Sequence, residues 1–105
     1  MSPVEVGARL ANGTWSLGPD GSADGTLRLS NPSTHLAFFL RVRLVEESGS
    51  LRSSYDDNYV SLLPGESRVV TAHVETKGTP PETLHLEVSG WNCAARTLEV
   101  RLRRP

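Results

Sequence analysis

Leu36, Phe38, Leu40, Val42 and Leu44 fall on every second position with Arg41 and Arg43 between them, and this alternation governs most of the chain. It returns in Val70, Ala72 and Val74, in Leu84, Leu86 and Val88, and in Leu98, Val100 and Leu102. Successive side chains of a strand point to opposite faces, so a period of two predicts segments half-buried against one core; helical spacing is hardly visible. Turn-forming residues separate the segments. Asn12-Gly13 predicts a turn that uses the positive φ glycine adopts easily, Gly18 to Gly25 reads as one long turn, Asn31-Pro32-Ser33 stops a strand, and Leu63-Pro64-Gly65-Glu66 has the chemistry of a tight turn. Strand character begins at Val4 to Leu10 and resumes in the short piece holding Trp15 and Leu17, and then at Thr26 to Ser30. After the long alternating segment it returns in shorter form at Leu51 to Tyr55 and Tyr59 to Leu62. About seven strands separated by turns describe an all-β, antiparallel two-sheet sandwich of roughly 100 residues.

At 105 residues, with no internal repeat and no break in composition, residues 1–105 read as a single domain with one core. The formal net charge of −1 offers no basic field to hold a phosphate backbone, which removes nucleic acid from the partners. Cys93 is the only cysteine, so no internal disulfide exists. No apolar run approaches the ~20 residues needed to cross a bilayer, and Met1-Ser2-Pro3 lacks the charged-then-apolar pattern of a leader, so no membrane partner is expected. Compartment stays open, because a domain excised from a larger protein would not carry its parent's leader.

Candidate chemistry is sparse. A nucleophile needs an oriented base within hydrogen-bond reach, and Cys93 follows Gly90-Trp91-Asn92, far in sequence from His35, His73 and His85. Structural zinc sites favour close ligand pairs, whereas no two of these four residues lie within five positions of each other. Asp20-Gly21-Ser22-Ala23-Asp24-Gly25 has oxygen ligands at alternate positions, as calcium loops do, but Asn31 stands where such a loop supplies its bidentate glutamate; the solvated turn is the preferred reading. Asp56 and Asp57 are adjacent, and neighbours on an extended backbone point apart, which is unsuited to flanking one glycosidic bond. No catalytic residue, metal or cofactor is therefore assigned. Trp15, Tyr55, Tyr59 and Trp91 are the rings that a sugar-binding platform would use, set against their ordinary use in a core. Arg41, Arg43, Arg101 and Arg103 predict a solvated or docking outer face.

Three segments carry a more specific signal: residues 31–44, beginning Asn31-Pro32-Ser33 and continuing through His35-Leu36-Ala37-Phe38-Phe39; residues 57–67, Asp57-Asn58-Tyr59 through Leu63-Pro64-Gly65-Glu66-Ser67; and residues 86–92, Leu86-Glu87-Val88-Ser89-Gly90-Trp91-Asn92. In order and spacing they resemble the last immunoglobulin-like domain of glycoside hydrolase family 2 enzymes of the exo-β-D-glucosaminidase and β-mannosidase type. Asp56 stands where that form often has serine, Val60 replaces a usual phenylalanine, and Cys93 follows the Trp-Asn pair. The resemblance implies an immunoglobulin-like β-sandwich serving as a non-catalytic accessory domain of an exo-acting glycosidase, whose catalytic glutamates sit on a separate barrel. The implied partners are the other domains of that parent. A carbohydrate-binding module for chitosan-like or mannose-containing glycans is the alternative, with oligosaccharide as partner. Asp57, Asn58, Tyr59 and Trp91 are the candidate contacts to a substrate cleft or glycan.

Overall fold

The structure, a computed structural model, describes residues 4–104; Met1-Ser2-Pro3 and Pro105 lie outside the described residues. It holds nine strands: β1 (Gly7–Leu10), β2 (Thr14–Ser16), β3 (Ser22–Ser30), β4 (Ala37–Leu44), β5 (Leu51–Tyr55), β6 (Val60–Leu62), β7 (Ser67–Thr76), β8 (Thr83–Gly90) and β9 (Cys93–Arg103). Four form one sheet in the order β1-β3-β7-β5 and five form the other in the order β2-β9-β8-β4-β6. All pairings are antiparallel except that of β2 with β9. The chain is an immunoglobulin-like β-sandwich, with two strands beyond the expected count because the short pieces at 14–16 and 60–62 both pair.

Leu27, Leu29, Val70 and Val74 from one sheet meet Leu84, Leu86 and Val88 from the other, all fully buried. The inward phases expected of β7, β8 and β9 hold, since burying every second side chain leaves only one face for the core.

Four expectations change. Val4 to Leu10 is not one strand: Val4 bridges Cys93 in the five-stranded sheet, and residues 7–10 then pair with β3 in the other, so the segment crosses from sheet to sheet. Asn12-Gly13 is likewise a crossover between β1 and β2, held by the Asn12 side chain accepting from the Thr14 N–H at 3.0 Å; the positive-φ glycines among the described residues are Gly21, Gly65 and Gly78. The long turn is shorter than composition suggests. It closes at Gly21, and β3 already runs from Ser22, because Gly25 is a packing glycine over which the Trp15 indole lies, where a Cβ would collide with the ring.

The last change concerns β4. Leu36 is half-buried and Ala37 fully buried; Phe38 is half-buried, Phe39 exposed, and the inward phase resumes at Leu40. Pairing to β6 shifts register between Ala37 and Leu40, and Phe39 carries a φ of 52°. One extra residue in the strand is a β-bulge, and it turns the two phenylalanines out of the core that the alternation assigns to Phe38.

Candidate functional site

Three asparagine side chains hold the surroundings of the β4 bulge, one from each of the segments singled out in the sequence. Asn92 accepts from the Phe38 N–H at 2.8 Å and donates to the Leu36 carbonyl at 2.8 Å. Asn58 does the same for Val42, accepting from its N–H at 2.9 Å and donating to its carbonyl at 3.3 Å. Asn31, only 1% exposed, donates to the carbonyls of His35 at 2.7 Å and Leu62 at 3.0 Å, while its own carbonyl oxygen accepts from the Ser33 N–H and hydroxyl. A bulge leaves ladder groups without a strand partner, and these amides replace it. The Asn31 backbone also exchanges hydrogen bonds with Gly65 and Glu66, locking the loop before β4 to the turn after β6.

Four large apolar side chains stand in solvent around this joint. Trp91, 72% exposed, caps the β8–β9 turn and donates its N–H to the Phe38 carbonyl at 3.0 Å; Phe39 is 55% exposed on the bulge. Tyr59, 62% exposed, precedes β6, and Leu63, 61% exposed, follows it. Phe38 links the rings: its centroid lies 5.9 Å from that of Phe39 and 6.0 Å from that of Trp91, the planes inclined at 43° and 75°. Tyr59 has a φ of 56°, so the two non-glycine residues with positive φ among those described both carry exposed rings.

The structure therefore divides the sequence candidates. Tyr59 and Trp91 keep most of their rings in solvent. Asn58 is committed to Val42, and Asp57 to a 3.0 Å ion pair with Arg68. Trp15, 2% exposed, is a core residue whose Nε1–H donates to the Asn12 carbonyl, and Tyr55 is half-buried with its hydroxyl on Ser53, so neither belongs to a platform. Burial pushes the Tyr55 phenol up. Val60 is buried. Leu63, Phe38 and Phe39 join Tyr59 and Trp91 without a signal in the sequence, since alternation assigns Phe38 to the core and Leu63 belongs to a turn pattern.

Several titratable groups hold strands and turns. Asp56 accepts from the Thr71 N–H at 2.7 Å, and its neighbour Asp57 faces Arg68. Asp20 closes the turn into β3 by accepting from the Ser22 N–H and hydroxyl, which hold its carboxyl below the usual range. Asp24 lies within β3 and pairs with His73 at 2.6 Å, so the two carboxylates of the calcium-like run serve separate structural contacts. His73 also meets Glu75 at 3.3 Å, and the bond to Asp24 raises its pKa above the ordinary value. Glu46 receives the backbone N–H and ring of His85; burial pushes its pKa up, but these bonds outweigh it and the net direction is down. Burial pushes the Cys93 thiol up, opposite to the activation a nucleophile needs. Among the described residues no three His, Cys, Asp or Glu side chains are placed to hold a metal ion. A cleft of about 460 Å³ between the turns at Gly18–Gly21 and Gly78–Pro80 is lined by a single carboxylate, Asp20, and by Arg104.

Comparison with known proteins agrees with this arrangement. The family model of the exo-β-D-glucosaminidase Ig-fold domain matches residues 1–93. The chain is 35% identical over 88 residues to an exo-β-D-glucosaminidase of Amycolatopsis orientalis, covering 77% of this chain and 8% of that protein. It is 33% identical over 102 residues to one of Streptomyces avermitilis, covering 93% of this chain and 11% of that one. The crystal structure of the Amycolatopsis orientalis exo-chitosanase CsxA superposes with a TM-score of 0.71 at 32% identity over 92% of this chain and 12% of the other. The chain thus spans about a tenth of the length of its curated relatives. With nearly its whole length matched and its fold shared, this chain belongs to the family of exo-β-D-glucosaminidase Ig-fold domains.

Proposed function

We propose that the chain is a non-catalytic accessory domain of a longer exo-acting hydrolase of β-linked glucosaminides, and that it works as a scaffold through contact with the other domains. One observation carries this reading: the carboxylates of Asp56 and Asp57 are tied into the fold. Asp56 is bonded to the β7 backbone and Asp57 to Arg68, while the exposed apolar side chains gather around the β4 bulge. Glycosidic cleavage needs two carboxyl groups flanking one bond at about 5–10 Å. A domain that binds Asp56 and Asp57 to β7 and exposes aromatic rings is equipped for contact.

The test is an assay on an aryl β-D-glucosaminide. The 105-residue chain should release no aryl alcohol, and the longer protein encoded with it should. Turnover by the chain alone, abolished in its Asp56→Asn or Asp57→Asn variant, would overturn the reading, as would a reading frame that encodes no hydrolase body. Glycan contact is a second reading, favoured by the exposed rings of Tyr59 and Trp91 and by Asp57 and Asn58, which adjoin Tyr59 in sequence. Titration of the chain with glucosamine oligosaccharides measures it directly: saturable shifts centred on those two rings would support it.

A further inference from the structure

We infer that the aromatic pole formed by Phe38, Phe39 and Trp91, flanked by Tyr59 and Leu63, is the seat on which this domain docks against the rest of the longer chain to which it belongs. The inference rests on the accessory-domain reading above and adds the surface and its occupant.

Three observations support it. First, the apolar exposure is concentrated: of the six large apolar side chains exposed among the described residues, Phe39, Tyr59, Leu63 and Trp91 belong to this region, leaving Val45 and Val69 elsewhere. Exposed apolar patches edged by polar residues mark interaction surfaces, and here the Asp57–Arg68 pair and Ser61 supply polar neighbours.

Second, the backbone takes left-handed conformations that carry these rings. Phe39 at φ 52° and Tyr59 at φ 56° occupy a region unfavourable for bulky side chains, and such strain persists where surrounding structure enforces it. Asn58, Asn92 and the Ser61 hydroxyl, which accepts from the Phe39 N–H at 3.2 Å, are the enforcing contacts. A core that needed only burial would have kept Phe38 and Phe39 in strand phase.

Third, the length of the relatives selects the occupant. Val4 donates its N–H to the Asn92 carbonyl at 2.7 Å, which puts Val4 at the same pole as Trp91. Strand β9 then carries the chain away over 11 residues, about 35 Å at strand rise, along a molecule 44 Å long. Its far end, where Leu17 donates to the Arg103 carbonyl, lies at the opposite pole. The chain covers 8–12% of its longer relatives, so most of such a protein lies outside this domain and is tethered to it, at high effective concentration for an exposed apolar surface. Inclined rings at 43° and 75° make a knobbed surface that suits pockets between protein side chains better than the flat face of a sugar ring.

The experiment compares the longer protein with its Phe39→Asn/Trp91→Ser variant by limited proteolysis; asparagine tolerates the left-handed conformation, and both side chains are exposed. The variant should release the domain at least about tenfold faster, a loss of about 1.4 kcal/mol, in line with removing anchor residues from an interface. The same double change should leave the unfolding midpoint of the 105-residue chain unshifted, and Val69→Thr on the other sheet should leave release unchanged. Equal release rates for variant and parent would overturn the inference, as would equal acceleration by Val69→Thr. Self-association of the 105-residue chain that the double change abolishes would assign the surface to a second copy, and oligosaccharide shifts centred on Trp91 would assign it to sugar; either overturns it. If glucosaminidase activity is present in the longer protein and release is unchanged, this inference alone falls.

Discussion

Asn31 makes four side-chain hydrogen bonds while 1% exposed, three of them to backbone groups of Ser33, His35 and Leu62 and one to the Ser33 hydroxyl. Truncating it strands buried carbonyls, so Asn31→Ala should lower stability in chemical denaturation by about 1–3 kcal/mol. Gly25→Ala should cost about 1–3 kcal/mol for a different reason, since its new methyl meets the buried Trp15 ring and one of them must move. His73 gives a pH signature. Its folded pKa is raised by Asp24, so its contribution is fully present below the unfolded value and disappears as pH rises through the folded one. The midpoint difference between the parent chain and His73→Gln should be larger at pH 5.5 than at pH 9 and, for an exposed pair, within about 1 kcal/mol. At this scale little was legible in the sequence. A side-chain amide that replaces a strand partner acts across 54 or 56 residues, as Asn92 does for Phe38 and Leu36, and local pattern holds no record of it.

Strands whose one face must be buried announce themselves by alternation, and β7, β8 and the second half of β9 follow the phase written in their residues. A bulge leaves no such mark. From Leu36 to Leu44 either phase offers apolar side chains at the start, Leu36 and Phe38 or Ala37 and Phe39, so the residue where the phase slips is decided by the partners of β4. Glycine misled in the same way: Gly25 resembles a turn residue in composition but is required by the ring of Trp15. The left-handed residues beside β6 give a prediction at this scale. Tyr59→Gly removes an unfavourable φ at an exposed site and should leave the unfolding midpoint of the chain unchanged or higher, whereas Val60→Gly, one residue on and buried, should cost at least about 2 kcal/mol. A lowered midpoint for Tyr59→Gly would show that the Tyr59 ring contributes to the fold after all.

As a whole the molecule is an elongated sandwich, 44 by 23 by 19 Å, whose two poles differ in chemistry. One carries the Phe38, Phe39 and Trp91 cluster beside the point where Val4 joins β9; the other carries the turns at Gly18–Gly21 and Gly78–Pro80 and the end of β9. Sheet architecture was legible because it follows from periodicity, but the polarity of the molecule was not, since it depends on which loops share a pole. The aromatic pole as docking surface is the claim on which the account turns, and hydrogen exchange resolved by residue compares the 105-residue chain with the longer protein most directly. Amides at 38–40, 59–63 and 91–93 should exchange more slowly in the longer protein, with those around Asp24 and His73 unchanged. Slowing confined to the Asp24–His73 face, with the aromatic pole exchanging equally in both, would contradict it.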